Sequence, residues 1–159
     1  MSKRKKEDPM QPHSHEPNPD PPTESPEFVL VAPNGRFWTV TPEDLQQFPE
    51  TAVANCYIIS TGHGKSGPFT FSGVQLIDLI RHYIDGQWAE AEIASDDGFG
   101  NRVLRAELEY PHKKGPILLA TARDGQSLSR QQGAIRLIVP QEKKDALRQV
   151  KWVSYIRVV

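Results

Sequence analysis

The residue types best suited to chemistry lie together between Cys56 and Gly73, in the run CYIISTGHGKSGPFTFSG. The run contains the only cysteine of the chain and a His-Gly-Lys-Ser sequence. A cysteine thiolate is a soft metal ligand, and glycine-rich backbone beside a lysine and an imidazole can hold an anion. We therefore predict a binding site in this stretch, with a plain glycine-rich surface loop as the alternative.

The sequence Gly64-Lys65-Ser66 is similar to the end of the phosphate-binding loop of nucleotide-binding proteins. That loop requires a further glycine five positions before Gly64, and Ile59 stands there instead. The spacing therefore excludes a nucleotide-binding loop of this kind. A weaker hypothesis remains, in which His63 and Lys65 help to hold an anionic group.

The overall charge is nearly balanced, since 19 Lys and Arg residues face 20 Asp and Glu residues. This balance gives no reason to expect binding to nucleic acid or to an acidic membrane. One cysteine cannot form an internal disulfide, and no run approaches the roughly 20 apolar residues of a membrane helix. The basic start of the chain lacks the apolar segment of a secretory signal, so we expect a cytoplasmic protein.

Residues 1–27 are predicted to form a disordered tail. They contain seven of the 14 prolines and no aromatic residue, so they offer too little apolar surface to offset the entropy of ordering. Two histidines in this tail, His13 and His15, are weak metal ligands, and a solvated tail is the favoured interpretation. The folded domain is therefore expected to cover residues 28–159.

The order of secondary-structure signals predicts an α+β fold that is rich in β-strands. Asn34-Gly35 lies between two β-rich runs and predicts a hairpin, and Thr41 followed by proline predicts the start of a short helix. A second helix is expected after Ser72 as N-cap, because apolar residues recur there at helical spacing up to Asp85. Further strands are predicted at residues 51–60, 89–95, 117–123, 134–140 and 152–159, whereas residues 102–108 fit a strand or a short helix.

Five segments, taken in order, resemble the sulfite oxidase type molybdopterin-binding domain. They are Phe71-Ser72-Gly73-Val74 with Leu76, Asp78 and Leu79; Ser95 to Phe99; Leu118-Leu119-Ala120 with Asp124 to Leu128; Gly133 to Pro140; and Val150-Lys151-Trp152. The resemblance covers residues 28–159. It implies a compact domain of small β-sheets with a few flanking helices. It also implies a molybdenum ion carried by a pterin dithiolene, to which one cysteine of the protein adds a thiolate.

Within this resemblance, Cys56 is the only candidate for the metal-ligating thiolate. When the segment is aligned on Phe71-Ser72-Gly73, however, Ser60 stands nearest to the family's cysteine position, and a serine hydroxyl is a poorer ligand for such a metal. The residues after Cys56 also continue a strand. A buried cysteine that acts as a small apolar side chain is therefore the alternative.

The resemblance further implies that cationic residues near the C-terminal segments hold the cofactor's phosphate through charge-assisted hydrogen bonds. The candidate cofactor-binding residues are Ser60, His63, Lys65, Arg136, Arg148 and Lys151. For Arg136, an ordinary outward-facing charge on a strand is the alternative. The run QEKKDAL replaces the glycine-containing loop that usually precedes the Arg148 position, and those glycines allow close backbone approach to a ligand.

Two functions from different classes follow from these observations. The first is a molybdopterin-dependent oxidoreductase domain that transfers an oxygen atom or electrons, with a small-molecule substrate or a redox partner protein. The second is a cofactor-free binding or scaffold domain that keeps the fold and has lost the metal ligand. No carboxylate or histidine pairing in the sequence indicates a catalytic base. Measuring the molybdenum content of the purified protein would distinguish the two functions.

Overall fold

The computed structural model describes residues 26–60, 64–140 and 149–159, and the side chains of residues 59, 60, 64 and 65 fall outside that description. The predicted tail, except for its last two residues, lies outside the described residues, as do His63 and Arg148. The first strand begins at Phe28. The expected division of the chain into a tail and a domain stays a prediction.

Ten strands and three short helices make up the described part of the chain. The strands are β1 (Phe28–Val31), β2 (Phe37–Val40), β3 (Thr51–Ser60), β4 (Gly64–Gln75), β5 (Glu90–Ser95), β6 (Gly100–Leu104), β7 (Leu118–Arg123), β8 (Gln126–Ser127), β9 (Arg136–Ile138) and β10 (Val153–Val158). The helices are α1 (Pro42–Leu45), α2 (Leu76–Tyr83) and α3 (Arg105–Glu109).

The first sheet has the strand order β2-β1-β10-β5-β6, so the last strand of the chain lies at its centre. β1 and β2 form the antiparallel hairpin predicted from Asn34-Gly35. β10 pairs in parallel with β1 and antiparallel with β5. Along β5, half-buried and buried residues alternate, as predicted for a strand with one face in the core.

The second sheet has the strand order β3-β4-β7-β8, and β9 also pairs with β7. β3 and β4 form a long antiparallel hairpin that reaches from Thr51 to Gln75. The glycine-rich stretch that was expected to be a loop is therefore largely strand, because β4 already begins at Gly64, opposite Ser60. This correction places the candidate binding stretch on the sheet.

The second helix begins later than predicted. Ser72 belongs to β4, and α2 starts at Leu76 with Gln75 as its N-cap, so the prediction of Ser72 as a helix cap is wrong. A Cβ on Gly73 would lie 2.1 Å from the backbone oxygen of Leu119. Only glycine allows β4 to approach β7 this closely. The pairing with β7 extends β4 to Gln75, beyond Ser72, where the sequence pattern predicts the start of the helix.

The first helix agrees with its sequence signals. The Thr41 hydroxyl accepts a hydrogen bond from the backbone N–H of Asp44 at 3.2 Å, and the Asp44 carboxylate accepts one from the backbone N–H of Thr41 at 2.9 Å. This reciprocal cap satisfies two backbone donors that α1 leaves free. Residues 102–108 adopt both predicted alternatives, since the end of β6 is followed directly by α3.

The buried apolar side chains form two clusters. The larger one contains residues of β1, β5, β10 and the buried face of α2. The smaller one belongs to the second sheet and consists of Val53, Cys56, Phe71, Leu118, Ala120 and Ile138. The β-rich α+β fold with small sheets and a few helices is thus confirmed. No helix in the described ranges has the length and apolar character needed to cross a membrane.

Candidate functional site: a buried basic cluster

Arg136 lies at the start of β9 with its side chain turned inward. The residue is only 6% exposed, and its strand neighbour on β7 is the small residue Ala120. One terminal nitrogen of the guanidinium donates to the backbone oxygen of Gln132 at 3.0 Å, and the other donates to the side-chain oxygen of Gln149 at 3.4 Å. The Nε is buried and has no partner among the described residues. Of the two orientations considered for Arg136, the structure shows the inward one.

The charge of Arg136 is not balanced within the described part of the chain. No ion pair joins it there to a carboxylate. Burial, followed by the nearby charge of Arg123, lowers the pKa of Arg136 to about 10. A buried cation without a counter-charge is costly. A bound anion would therefore stabilise this site by offsetting the buried positive charge of Arg136.

Lys151 joins the same cluster from the C-terminal segment. Burial lowers the pKa of Lys151, the positive charge of Arg136 lowers it further, and the carboxylate of Asp97 acts in the opposite direction. The Lys151 Nζ lies 4.9 Å from the ring centroid of Trp152, a distance at which a cation is attracted to the face of the ring. The two basic residues that sequence resemblance assigned to one ligand are thus close enough for the charge of Arg136 to lower the pKa of Lys151.

Gly133 makes the close approach of these two side chains possible. Its φ is +111°, and a Cβ at this position would lie 3.0 Å from Cγ of Arg136 and 3.2 Å from Cβ of Lys151. The backbone around it is held by hydrogen bonds from Trp152 N–H to the Gly133 oxygen at 2.9 Å and from Val153 N–H to the Ile135 oxygen at 3.0 Å. These bonds keep the two C-terminal segments side by side, and both basic side chains pass close to Gly133.

Arg123 is a member of the cluster that the sequence did not reveal. It is the last residue of β7, and its guanidinium carbon lies 4.4 Å from the ring centroid of Phe69. The Asp124-Gly125 turn that follows it marked the end of a strand. Its position near Arg136 depends on how distant strands pair, which no local pattern indicates.

Gln149 connects the basic cluster to β3. Its side-chain nitrogen donates to the backbone oxygen of Tyr57 at 2.9 Å, while its side-chain oxygen accepts the hydrogen bond from Arg136. Tyr57 directly follows Cys56 in the chain. The strand that carries the candidate thiolate is therefore tied to the cluster through one side chain. Gln149 was also missed, because amide side chains in a C-terminal run give no signal of their own.

Asp97 holds the turn between β5 and β6. Its carboxylate accepts hydrogen bonds from the Ser95 hydroxyl and, at 3.1 Å, from the backbone N–H of Phe99. The same carboxylate raises the pKa of Lys151 against the effect of burial. Asp97 thus has a structural role in its own turn and an electrostatic effect on the basic cluster.

Cys56 lies on β3 within the smaller apolar cluster and is 5% exposed. Its sulfur contacts the backbone oxygen of Val53 at 3.5 Å. Burial raises the pKa of the Cys56 thiol, and weaker effects from the backbone of Phe71 and the charge of Lys114 lower it only in part. A thiol held in its protonated form is a poor metal ligand. Its role as a metal ligand stays a prediction.

The other candidates are placed only in part. Ser60 is the last residue of β3, and Lys65 pairs through its backbone with Ile59, but the side chains of both fall outside the description. His63 and Arg148 lie outside the described residues altogether. Within the described ranges, no group of three or more His, Cys, Asp or Glu side chains is arranged to hold a metal ion. The structure therefore brings together Arg136 and Lys151 from the predicted set.

Comparison with known proteins adds a family and a fold. A family model described as the oxidoreductase molybdopterin binding domain matches residues 32–159. The crystal structure of the sulfane dehydrogenase SoxCD from Paracoccus pantotrophus is similar, with a TM-score of 0.62 and 19% sequence identity, over 83% of this chain and 37% of that chain. At this identity the likeness shows the fold, and the chain spans little more than a third of that protein chain. No curated protein matches. The resemblance seen in the five sequence segments is thereby confirmed.

Proposed function

Because the chain belongs to the oxidoreductase molybdopterin-binding domain family, we propose that it binds a molybdenum–molybdopterin cofactor whose phosphate is held by Arg136 and Lys151. The observation that carries the proposal is the buried guanidinium of Arg136, with an Nε that has no partner in the described part of the chain. A phosphate oxygen would supply both the missing acceptor and the missing negative charge.

The residues present fit the anionic end of the cofactor. Arg136 offers a planar, permanently positive donor group, which suits phosphate geometry. Lys151 adds a second, less directional positive charge, and Gly133 leaves the space in which both side chains can converge. Gln149 would act as a positioning residue, because its hydrogen bond to Arg136 fixes one side of the guanidinium. The cofactor, when bound, supplies the electron or oxygen-atom transfer, and the protein binds and orients it.

The residues fit the metal end of the cofactor less well. The thiol of Cys56 is packed into the apolar cluster, and its pKa is raised by burial. This observation favours a second candidate function, a binding or scaffold domain that keeps the fold and the basic cluster but carries no molybdenum. In that case the anion site would serve a phosphate-bearing ligand without redox chemistry.

If the first function is correct, the domain also needs a partner. We propose a small-molecule substrate together with a redox protein or a further domain as the electron acceptor, in a soluble, cytoplasmic setting. The extent of the structural match supports this proposal, since the match covers only 37% of the SoxCD chain.

The test is to purify the full chain from a host that makes the cofactor and to measure molybdenum by mass spectrometry and pterin by fluorescence after acid release. Stoichiometric molybdenum and pterin are expected in the wild type. Arg136→Met is expected to lose both, whereas Cys56→Ser is expected to lose molybdenum. Arg102→Met serves as the matched control, because Arg102 is exposed and pairs only weakly with Glu90 at 3.5 Å.

The outcomes separate the two functions. Pterin without molybdenum would support the anion site and refute the metal centre. Neither pterin nor molybdenum in the wild type would overturn the first function and leave the cofactor-free domain.

A further inference from the structure

A second concave site is lined by none of the basic-cluster residues Arg123, Arg136, Gln149 and Lys151, although its lining residues Ala134 and Ile135 lie between Gly133 and Arg136 in the chain. It is a cleft of about 510 Å³, within the range typical of ligand sites. Apolar side chains form most of its described lining, which includes Pro26, Pro42, Leu45, Phe48, Leu128 and Ile135. The two charged residues in the lining, Glu50 and Arg130, have opposite signs. The lining therefore suits the apolar part of an occupant, such as proline rings, better than a small anion.

A row of aromatic rings continues from the cleft across the surface. The ring of Phe48 lies 5.2 Å from that of His82, which lies 4.8 Å from that of Tyr83. The ring of Tyr83 lies in turn 5.4 Å from that of Trp38. The His82 ring is exposed, and the other three rings are half-buried. Partly exposed aromatic rings beside a cleft are the kind of surface on which proline-rich segments dock.

The chain itself supplies such a segment at the edge of the cleft. Pro26, the first described residue, lines the cleft. Six prolines precede Pro26, and Pro19-Asp20-Pro21-Pro22 has the Pro-x-x-Pro spacing of polyproline II ligands. Four residues in polyproline II conformation span about 12 Å, so Pro22 can reach the cleft or the first rings from Pro26 without a long connection.

We propose that the cleft and the adjoining aromatic row form the docking surface for the proline-rich segment 17–25 of the same chain. Polyproline II is already favoured in an isolated proline-rich segment, so docking costs less ordering entropy than folding an ordinary tail. Covalent attachment at Pro26 also holds the segment at an effective concentration on the order of millimolar, which allows a weak intrinsic affinity to suffice. Docking would cover apolar surface beside α1. It does not depend on whether the basic cluster holds a cofactor.

The test compares amide spectra of full-length chains labelled with ¹⁵N. In one variant the prolines of the segment are replaced, as Pro17→Ala, Pro19→Ala, Pro21→Ala and Pro22→Ala together. In the matched control the two distant prolines are replaced, as Pro9→Ala and Pro12→Ala. The amide resonances of Phe48, Ser127 and Leu128 are expected to shift in the first variant and to stay in place in the control. Because every replaced residue precedes the described domain, the fold itself is not at risk.

A peptide of residues 16–25, added to the first variant, is expected to restore the original resonance positions. The same peptide with its prolines replaced by alanine is expected to leave the resonances shifted. Unchanged resonances in the first variant would overturn the proposal. So would shifts that depend on protein concentration, because the segment would then dock on a second copy of the chain.

Discussion

Replacing Arg136 by methionine is expected to stabilise the ligand-free domain. The same replacement in a buried ion pair would destabilise the protein, because it would leave the partner's charge buried and unpaired. Burial and the charge of Arg123 lower the pKa of Arg136 to about 10. From the ordinary arginine value, such a decrease corresponds to a penalty of about 3 kcal/mol on the charged guanidinium at neutral pH. Methionine removes this penalty and still fills the space with a flexible, unbranched side chain.

Two hydrogen bonds are lost in the same substitution, those to the Gln132 oxygen and to Gln149. Each contributes about 1 kcal/mol. The net result expected for Arg136→Met is therefore a gain of about 1 kcal/mol in the free energy of unfolding at pH 7 without anion.

The pH dependence of this gain has a definite sign. The folded-state pKa of Arg136 lies below its unfolded value, so the unfolded chain binds more protons in the alkaline range. The penalty is fully present below about pH 10 and is released as the pH rises further. The advantage of Arg136→Met over the wild type is therefore expected to decrease above pH 10.

Urea denaturation with and without inorganic phosphate measures both effects. Phosphate is expected to stabilise the wild type and to leave Arg136→Met unchanged, because the anion offsets the buried charge. The control Arg102→Met, on the exposed side of β6, is expected to change stability by less than about 0.5 kcal/mol and to keep the phosphate response. A loss of more than about 2 kcal/mol in Arg136→Met, together with a wild type insensitive to phosphate, would refute the reasoning. It would mean that the guanidinium already has a counter-charge.

Two further predictions concern Gly133, beside Arg136, and Cys56, in the smaller apolar cluster. Gly133→Ala places a Cβ 3.0 Å from its nearest neighbour at φ +111° and is expected to cost about 2 kcal/mol in urea unfolding and to weaken the phosphate response. The control Gly35→Ala has φ +88° with nothing within 4 Å, so it is expected to cost about 1 kcal/mol and leave that response intact; equal losses would show that crowding at Gly133 is unimportant. Burial and the raised pKa of Cys56 predict slow reaction with a disulfide reagent at pH 8 and fast reaction in urea. Fast reaction of the folded protein would place this thiol at an accessible site.

Local signals in the sequence predicted those elements whose causes are local. The Asn34-Gly35 hairpin and the Thr41 cap depend on residues within a few positions of each other, and both are present. The start of α2 was misplaced because the decisive contact, between Gly73 and the backbone of Leu119, joins residues far apart in the chain.

The residues of the candidate site likewise divide into those that the sequence predicted and those that only long-range contacts bring in. Resemblance to family segments identified Arg136 and Lys151, which the structure brings together. The orientation of Arg136 could not be decided from a strand with apolar neighbours on both sides, because either face can be buried. Arg123 and Gln149 enter the cluster only through strand pairing and one long-range hydrogen bond. Their contribution therefore required the fold.

The two candidate functions differ chiefly at one point on β3. The basic cluster is built from β7, β9 and the C-terminal segment, so it is present whichever way Cys56 faces. The thiol, in contrast, lies where the pairing between β3 and β4 is irregular: the register shifts on both sides of Cys56, and Asn55 has a φ of +58°. A shift of one residue in a strand turns each side chain to the opposite face. Because Gln149 fixes the Tyr57 carbonyl to Arg136, any shift that frees the thiol must break this link or be confined to residues before it. The proposed anion-binding residues and the candidate metal ligand thus lie on different elements, with Gln149 as the described link between them.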